Sequence, residues 1–237
     1  MSSALERKTT VGIIQTGRVG GSLGVKYGEY PDMFISLFKG EPFEYRIYPA
    51  IDGILPRHPL ECDAWVITGS KHAVYEPHDW ISPLEAFVRK LIVSGQPAVG
   101  ICFGHQLMAQ AMGGKVEKFP GGWNIGRMTL LDLLNKQEAR LHFTHMDQVM
   151  EPPPNAELIL TADNCLFGGF KYSPTCLSIQ AHPELTLPFM VDLINQRRGV
   201  QLTTEHADDA LASLAGPNDY DIYGQWIADI LKGERRI

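Results

Sequence analysis

Cys102 lies in the string Gly100-Ile101-Cys102-Phe103-Gly104, which has the Gly-x-nucleophile-x-Gly form with cysteine in place of serine. In that form the nucleophile occupies a strained turn between a strand and a helix. Small residues two positions away on each side make room for it. The helix N-terminus that follows supplies positive potential favouring the thiolate, the nucleophilic form of cysteine. A thiol nucleophile also needs a base. Eighty residues on, the run 177–180 leads into Ala181-His182-Pro183-Glu184. If strand geometry extends through this motif, His182 and Glu184 project to the same side, so the carboxylate can orient the imidazole and fix its tautomer. Each motif alone also fits an inert reading, a packed thiol or a solvated loop. Their pairing favours chemistry. Cys62, Cys165 and Cys176 have no such partner in the sequence and read as packing thiols.

The elements that must hold these residues follow from hydrophobic patterning. Residues 11–15 read as a buried strand, the glycine-rich stretch 17–28 as a loop, and helix begins near Pro31. Runs 45–48 and 64–68 are strand candidates, 81–93 a helix whose Leu84, Phe87, Val88, Leu91 and Ile92 recur at helical spacing, and 98–101 a strand feeding a small-residue helix to Met112, closed by Gly113-Gly114. From residue 115 to 182 the pattern changes to short strand candidates at 128–131, 140–143, 158–160 and 177–180. Pro152-Pro153-Pro154 is a rigid spacer. Helices are expected at 187–196, 208–214 and 220–231. Alternating strands and helices followed by a helical tail predict an α/β fold with an open, mostly parallel central sheet flanked by helices. Both candidate motifs then sit at the C-terminal ends of strands, where open α/β sheets place their sites.

The chain has 237 residues, 44% hydrophobic and 20% charged, enough for one large domain that needs no disulfide or metal staple. Its 21 Lys and Arg against 27 Asp and Glu give a net charge of -6, the wrong sign for a non-specific nucleic-acid or anionic-membrane binder. No apolar run approaches the ~18 residues of a membrane span. The polar opening, residues 1–10, has no signal-peptide core, so a cytoplasmic location is expected. The four cysteines contain no Cys-x-x-Cys pair and fit reduced thiols.

With these residues in view, the sequence resembles the class I (triad) glutamine amidotransferases. The matching stretches are Val66-Ile67-Thr68-Gly69-Ser70, Gly100 through Leu107, Gly122-Trp123-Asn124-Ile125-Gly126, His145-Met146-Asp147-Gln148-Val149 and Gln180 through Glu184, in the family's order and spacing. Segments 27–34 and 70–80 look most like the free-standing branch related to the amidotransferase domain of GMP synthase. The resemblance implies a flavodoxin-like fold over residues 1–199 with a small antiparallel section, to which 200–237 add a helical extension packed on the same domain. It implies Cys102 as nucleophile, His182 as base and acid, and Glu184 as its orienting carboxylate. The backbone N–H groups of Ser70 and Phe103 become the oxyanion hole, with Gly69 permitting the turn. Gln106, Trp123, Asn124, Thr144, His145, Met146 and Asp147 fall where the family grips the amino-acid end of glutamine. Ser70 replaces the second glycine of a common pair, and Met146 stands where some relatives carry glycine.

The implied reaction is attack on the glutamine side-chain amide, release of ammonia to an accepting synthase or to solvent, and hydrolysis of a γ-glutamyl thioester. Two alternatives stay open: a γ-glutamyl peptidase acting on glutathione or its conjugates, and a regulatory homologue. No cofactor is implied. The loop 17–24 fits no dinucleotide or phosphate motif. His72, His78 and Asp79 match no metal-binding spacing, so no metal is expected, and His142 and His145 should face opposite sides of their strand. Residues 220–231 are amphipathic, with Ile222, Trp226, Ile227, Ile230 and Leu231 on or near one face. Packing on the parent domain is the expected use, and a homo-oligomer or synthase contact the alternative.

Overall fold

A computed structural model describes residues 8–237, so most of the polar opening lies outside the described residues. The first half contains β1 (Thr9–Gln15), α1 (Gly21–Tyr27), α2 (Tyr30–Leu37), β2 (Phe43–Pro49), β3 (Ala64–Ile67), α3 (Ile81–Ser94), β4 (Ala98–Ile101) and α4 (Phe103–Ala111). The second contains β5 (Lys115–Lys118), β6 (Asn124–Asp132), β7 (Gln137–His145), β8 (Asp147–Glu151), β9 (Glu157–Ala162), β10 (Cys165–Ser173), β11 (Cys176–Ile179), α5 (Leu187–Arg197), α6 (Thr204–Ser213) and α7 (Tyr220–Leu231). Nine strands form one sheet in the order β2-β1-β3-β4-β11-β10-β9-β6-β7, parallel from β2 to β11 and antiparallel from there on. The antiparallel section is thus a continuation of the main sheet. β5 and β8 pair separately.

Strand alternation sorts the core into two layers. Val11, Ile13, Val66, Val99, Ile101, Leu177 and Ile179 face α2 and α7, where they meet Phe34, Phe38, Tyr223, Trp226 and Ile227. Ile14, Trp65, Ile67 and Ala98 face α3 and α4, where they meet Leu84, Phe87, Leu91, Phe103 and Leu107. The amphipathic pattern of α7 is spent on this packing, except that Ile222 points outward. A third cluster joins α1, α5 and α6 through Leu23, Leu185, Phe189, Met190, Leu193, Leu202 and Ala210. α6 lies so close to β6 that a Cβ on Gly126, whose φ is +107°, would stand 2.3 Å from Ser213 Oγ. Among the described residues no helix is long and apolar enough to cross a membrane.

The stretch 17–28 departs from the loop expected for it, because residues 21–27 are helical. The backbone N–H groups of Val19 and Gly20, which a phosphate site would use, donate to the Glu29 carboxylate (2.8 and 3.3 Å). An internal anion therefore occupies the position a phosphate would take and folds the glycine-rich segment back into a turn of helix.

Beneath the α4 N-terminus, fully buried His105 stacks on Phe170, with Nε2 donating to the Phe167 carbonyl (3.0 Å) and Nδ1 accepting from Ser178 Oγ (2.8 Å). Burial pushes its pKa down to about 3 from 6.5. The unfolded chain therefore binds a proton here that the native chain does not between pH 6.5 and 3. This group's contribution to stability falls as pH drops through that window and is constant above it. Each such group adds a slope of about 1.4 kcal/mol per pH unit. His105→Gln is expected to flatten the acid-side dependence of the unfolding free energy by about that amount, measured by urea titration between pH 6 and 4; an unchanged slope contradicts the buried neutral ring.

Candidate active site

β4 ends at Ile101 and α4 begins at Phe103, so Cys102 makes the whole turn between them with φ 52° and ψ -102°. Few residues other than glycine adopt positive φ. The surroundings hold it there. Its N–H donates to Ile179 O (2.9 Å) and its carbonyl accepts from Gln106 N (2.9 Å). The flanking glycines are explained by close approach: a Cβ on Gly100 would stand 2.5 Å from Met108 Sδ, and one on Gly104 2.4 Å from the Ile67 carbonyl oxygen.

His182 and Glu184 leave the C-terminal end of β11, the strand beside β4. His182 Nδ1 donates to Glu184 Oε1 across 2.7 Å, and both side chains are buried. The backbone is fixed from β7: His182 N–H donates to His142 O (2.8 Å), and His142 Nδ1 donates to Leu185 O (2.7 Å). Cys102 and the imidazole meet across Gly69. A Cβ there would stand 3.1 Å from His182 Cε1 and 3.6 Å from Cys102 Cβ. Burial disfavours a proton on His182, but the Glu184 carboxylate and the Cys102 sulfur outweigh it and push the pKa up. The ring can hold a proton beside the sulfur and deliver it elsewhere. Glu184 Oε2 has no hydrogen-bond partner among the described residues. Burial pushes the Cys62, Cys165 and Cys176 thiols up, so these three stay protonated.

Ser70 follows Gly69 at the end of β3, with its hydroxyl donating to Thr16 O (2.8 Å) and accepting from His72 N–H (3.2 Å). Its extra Cβ is accommodated by Gly17, where a side chain would stand 2.8 Å from Ser70 Cα. Phe103 is the first residue of α4, and first-turn N–H groups have no intrahelical acceptor.

Two cavities meet at Cys102, and both also touch Ser70, Thr144 and Arg197. One, of about 290 Å³, is lined by Gln106, Trp123, His145, Met146 and Asp147. The other, of about 340 Å³, is lined by Arg18, Leu23, Tyr30, Phe189 and His182. Asn124 reaches neither, because its amide donates to Gln148 Oε1 (3.3 Å) and Asn164 O (3.0 Å) and braces the sheet. Gln106 is also tied down: its Nε2 donates to Asp147 O (2.6 Å) and Gln180 Oε1 (3.1 Å). His145 Nδ1 donates to the same carbonyl (3.0 Å), burial pushes its pKa down to about 3, and its Nε2 lone pair has no partner among the described residues.

Sequence reasoning missed Arg197. In the last turn of α5 it reads as a cation favoured by the helix dipole. In the fold its guanidinium stacks 4.6 Å over Trp123 and donates to Thr144 Oγ1 (2.5 Å), and no carboxylate pairs with it among the described residues. His72 and His78 come together, with Glu76 rather than Asp79 as the carboxylate between them.

Residues 51–190 match the family described as glutamine amidotransferase class-I. Gamma-glutamyl peptidase 2 of Arabidopsis thaliana is 31% identical over 191 residues, covering 76% of this chain and 77% of that protein. Gamma-glutamyl peptidase 4 of the same plant is 32% identical over 72% of this chain and 73% of its own. A crystal structure of a glutamine amidotransferase from Thermotoga maritima superposes with a TM-score of 0.75 at 17% identity, covering 96% of this chain and 98% of that one, a likeness of fold. With the family's motifs in order and its sequence signature spanning 140 residues, the chain belongs to the class I glutamine amidotransferases.

Proposed function

We propose that the protein hydrolyses γ-glutamyl amides, with glutamine as the simplest substrate. One observation carries this reading: a cysteine held at positive φ beside a buried His182–Glu184 pair. The Cys102 sulfur attacks the γ-carbonyl carbon, and the oxyanion that forms is received by the N–H groups of Ser70 and Phe103. His182 gives its proton to the nitrogen as the C–N bond breaks, releasing ammonia and leaving a γ-glutamyl thioester. Water then attacks that carbonyl, His182 takes its proton, and the C–S bond breaks to give glutamate. Glu184 keeps the Nε2 of His182 directed at the chemistry by holding Nδ1.

The cavity lined by Trp123 and His145 receives the amino-acid end. Every γ-glutamyl compound carries an α-carboxylate, and the unpaired Arg197 guanidinium answers it. The unmatched lone pair of neutral His145 suits an α-ammonium donor.

A second reading, peptidase action on γ-glutamyl peptides such as glutathione, is favoured by the other cavity. Ammonia needs no pocket, whereas about 340 Å³ with apolar Leu23, Phe189 and Leu193 beside Arg18 and Lys71 suits a larger, anionic leaving group. The relatives named gamma-glutamyl peptidases support the same reading. Comparing kcat/KM for glutamine and for a γ-glutamyl dipeptide on one preparation decides between the leaving groups.

Three outcomes test the reading. A glutamine-mimicking electrophile should add once to the wild type and to Cys62→Ala, and not at all to Cys102→Ala, by intact mass; an adduct persisting in Cys102→Ala contradicts it. Glu184→Gln should lower turnover by up to about 10,000-fold, the loss seen for the equivalent carboxylate of a serine triad. It removes a charge that raises the His182 pKa, so the alkaline limb of the pH–rate profile should move to lower pH. Arg197→Met should raise KM about 10- to 100-fold with little change in kcat, as expected for a charge-assisted bond made equally in ground and transition states; an unchanged KM removes Arg197 from the site.

A further inference from the structure

The turn that follows Ser70 carries a second cluster, of which His72 and Glu76 also border the cavity lined by Trp123 and His145. His72 Nδ1, Glu76 Oε2 and His78 Nε2 form a nearly equilateral triangle, with edges of 3.0 Å between His72 and Glu76, 3.0 Å between the two imidazoles, and 2.8 Å between His78 and Glu76. Proton counting makes this triangle unusual. With both rings neutral, each facing nitrogen carries either one hydrogen or one lone pair. If both carry hydrogen, both point at Glu76 Oε2 and two N–H dipoles lie side by side. If one carries a lone pair, that ring loses its bond to the carboxylate. No arrangement satisfies all three edges, whereas a cation above the triangle accepts all three donors at once.

We propose that His72, Glu76 and His78 bind one divalent transition-metal ion of the zinc class. Two imidazole nitrogens and one carboxylate match that class, while magnesium and calcium require oxygen donors throughout. A tetrahedral ion about 2.0–2.1 Å from each donor sets the donors about 3.3 Å apart, so each edge opens by only a few tenths of an ångström. The scaffold is preformed. Backbone bonds Glu76 N–H to Ala73 O (3.1 Å), His78 N–H to Glu76 O (2.8 Å) and Ile81 N–H to His78 O (3.0 Å) close the turn, and the His78 ring stacks on Trp80. The three side chains are 22%, 39% and 38% exposed, which admits an ion, and His72 and His78 open on a groove of about 560 Å³ that also holds Asp52 and Asp79 and gives a fourth ligand access. His72 donates its backbone N–H to Ser70 Oγ, so the ion braces the segment that ends in the Ser70 turn. The proposal stands whether or not the amidase reading does.

The test uses untagged, chelator-stripped full-length protein in a Cys102→Ala background, because the Cys102 sulfur and His182 are themselves a zinc donor pair. Zn²⁺ by equilibrium dialysis with elemental analysis should give one ion per chain, and Co²⁺ should give visible d–d bands without a thiolate-to-cobalt charge-transfer band. His78→Asn and Glu76→Gln should each weaken binding at least about 10-fold, since even residues behind the ligands give losses of that size. Their melting temperatures in chelator should match the parent, and added Zn²⁺ should raise only the parent's. Absence of stoichiometric metal in Cys102→Ala, or equal affinity in folded His78→Asn and Glu76→Gln, overturns the site.

Discussion

The molecule is organised around a joint with no linker. β4 gives way to α4 at one residue, and that residue is left at φ 52°. A non-glycine side chain there costs on the order of 1–3 kcal/mol, so the joint persists only where its neighbours over-determine it. They do so by proximity. Gly104 sits against the end of β3, Gly100 against Met108, and the Cys102 N–H is taken by β11. The parallel order β3-β4-β11 is thus needed twice: it pins the turn, and it brings the two segments that answer Cys102 to its two sides. Gly69 leaves β3 on one side and His182 leaves β11 on the other.

The antiparallel half of the sheet is part of the same device. β7 is four positions from β11 in strand order, yet His142 accepts from the His182 N–H and donates from its ring to the Leu185 carbonyl. It clamps the His-Pro-Glu segment where β11 has ended. Without such a clamp, a loop of this kind would hold the imidazole only through Glu184. The same strand ends in Thr144 and His145, which line the cavities at Cys102, so one element fixes both the His182 segment and a cavity wall.

β1, β3, β4 and β11 were legible in the sequence because they are apolar and almost wholly buried, and α3 because its apolar positions recur over 14 residues. The boundaries of β4 and α7 agree with hydrophobic pattern alone. β5 and β8 gave no such signal, since each buries little apolar surface beyond Val116 and Val149 and otherwise presents charge. β10 was hidden by Gly168-Gly169 and by register shifts against β9. The helix at 21–27 was invisible for another reason: glycine composition argues for a turn, and only the distant Glu29 carboxylate fixes its start. Cys102, His182 and Glu184 could be paired from the sequence because each motif follows a strand end, Cys102 after β4 and His182 with Glu184 after β11. Arg197 could not, because its role depends on Trp123 and Thr144, which are remote in sequence.

That remote cation bears on specificity. The chain carries a net charge of -6, yet Arg18, Lys71 and Arg197 converge on the cavities at Cys102. Arg18 is offset by Asp52, an exposed pair of little energetic weight, whereas Arg197 is half-buried and paired with no carboxylate among the described residues. Partial burial disfavours a cation that has no anion beside it, and the guanidinium pKa is lowered accordingly. A carboxylate entering the cavity would offset that cost, which under the proposed reading favours substrates that bring one. Stacking on Trp123 and the bond to Thr144 hold the guanidinium flat and leave its remaining N–H groups for that ligand.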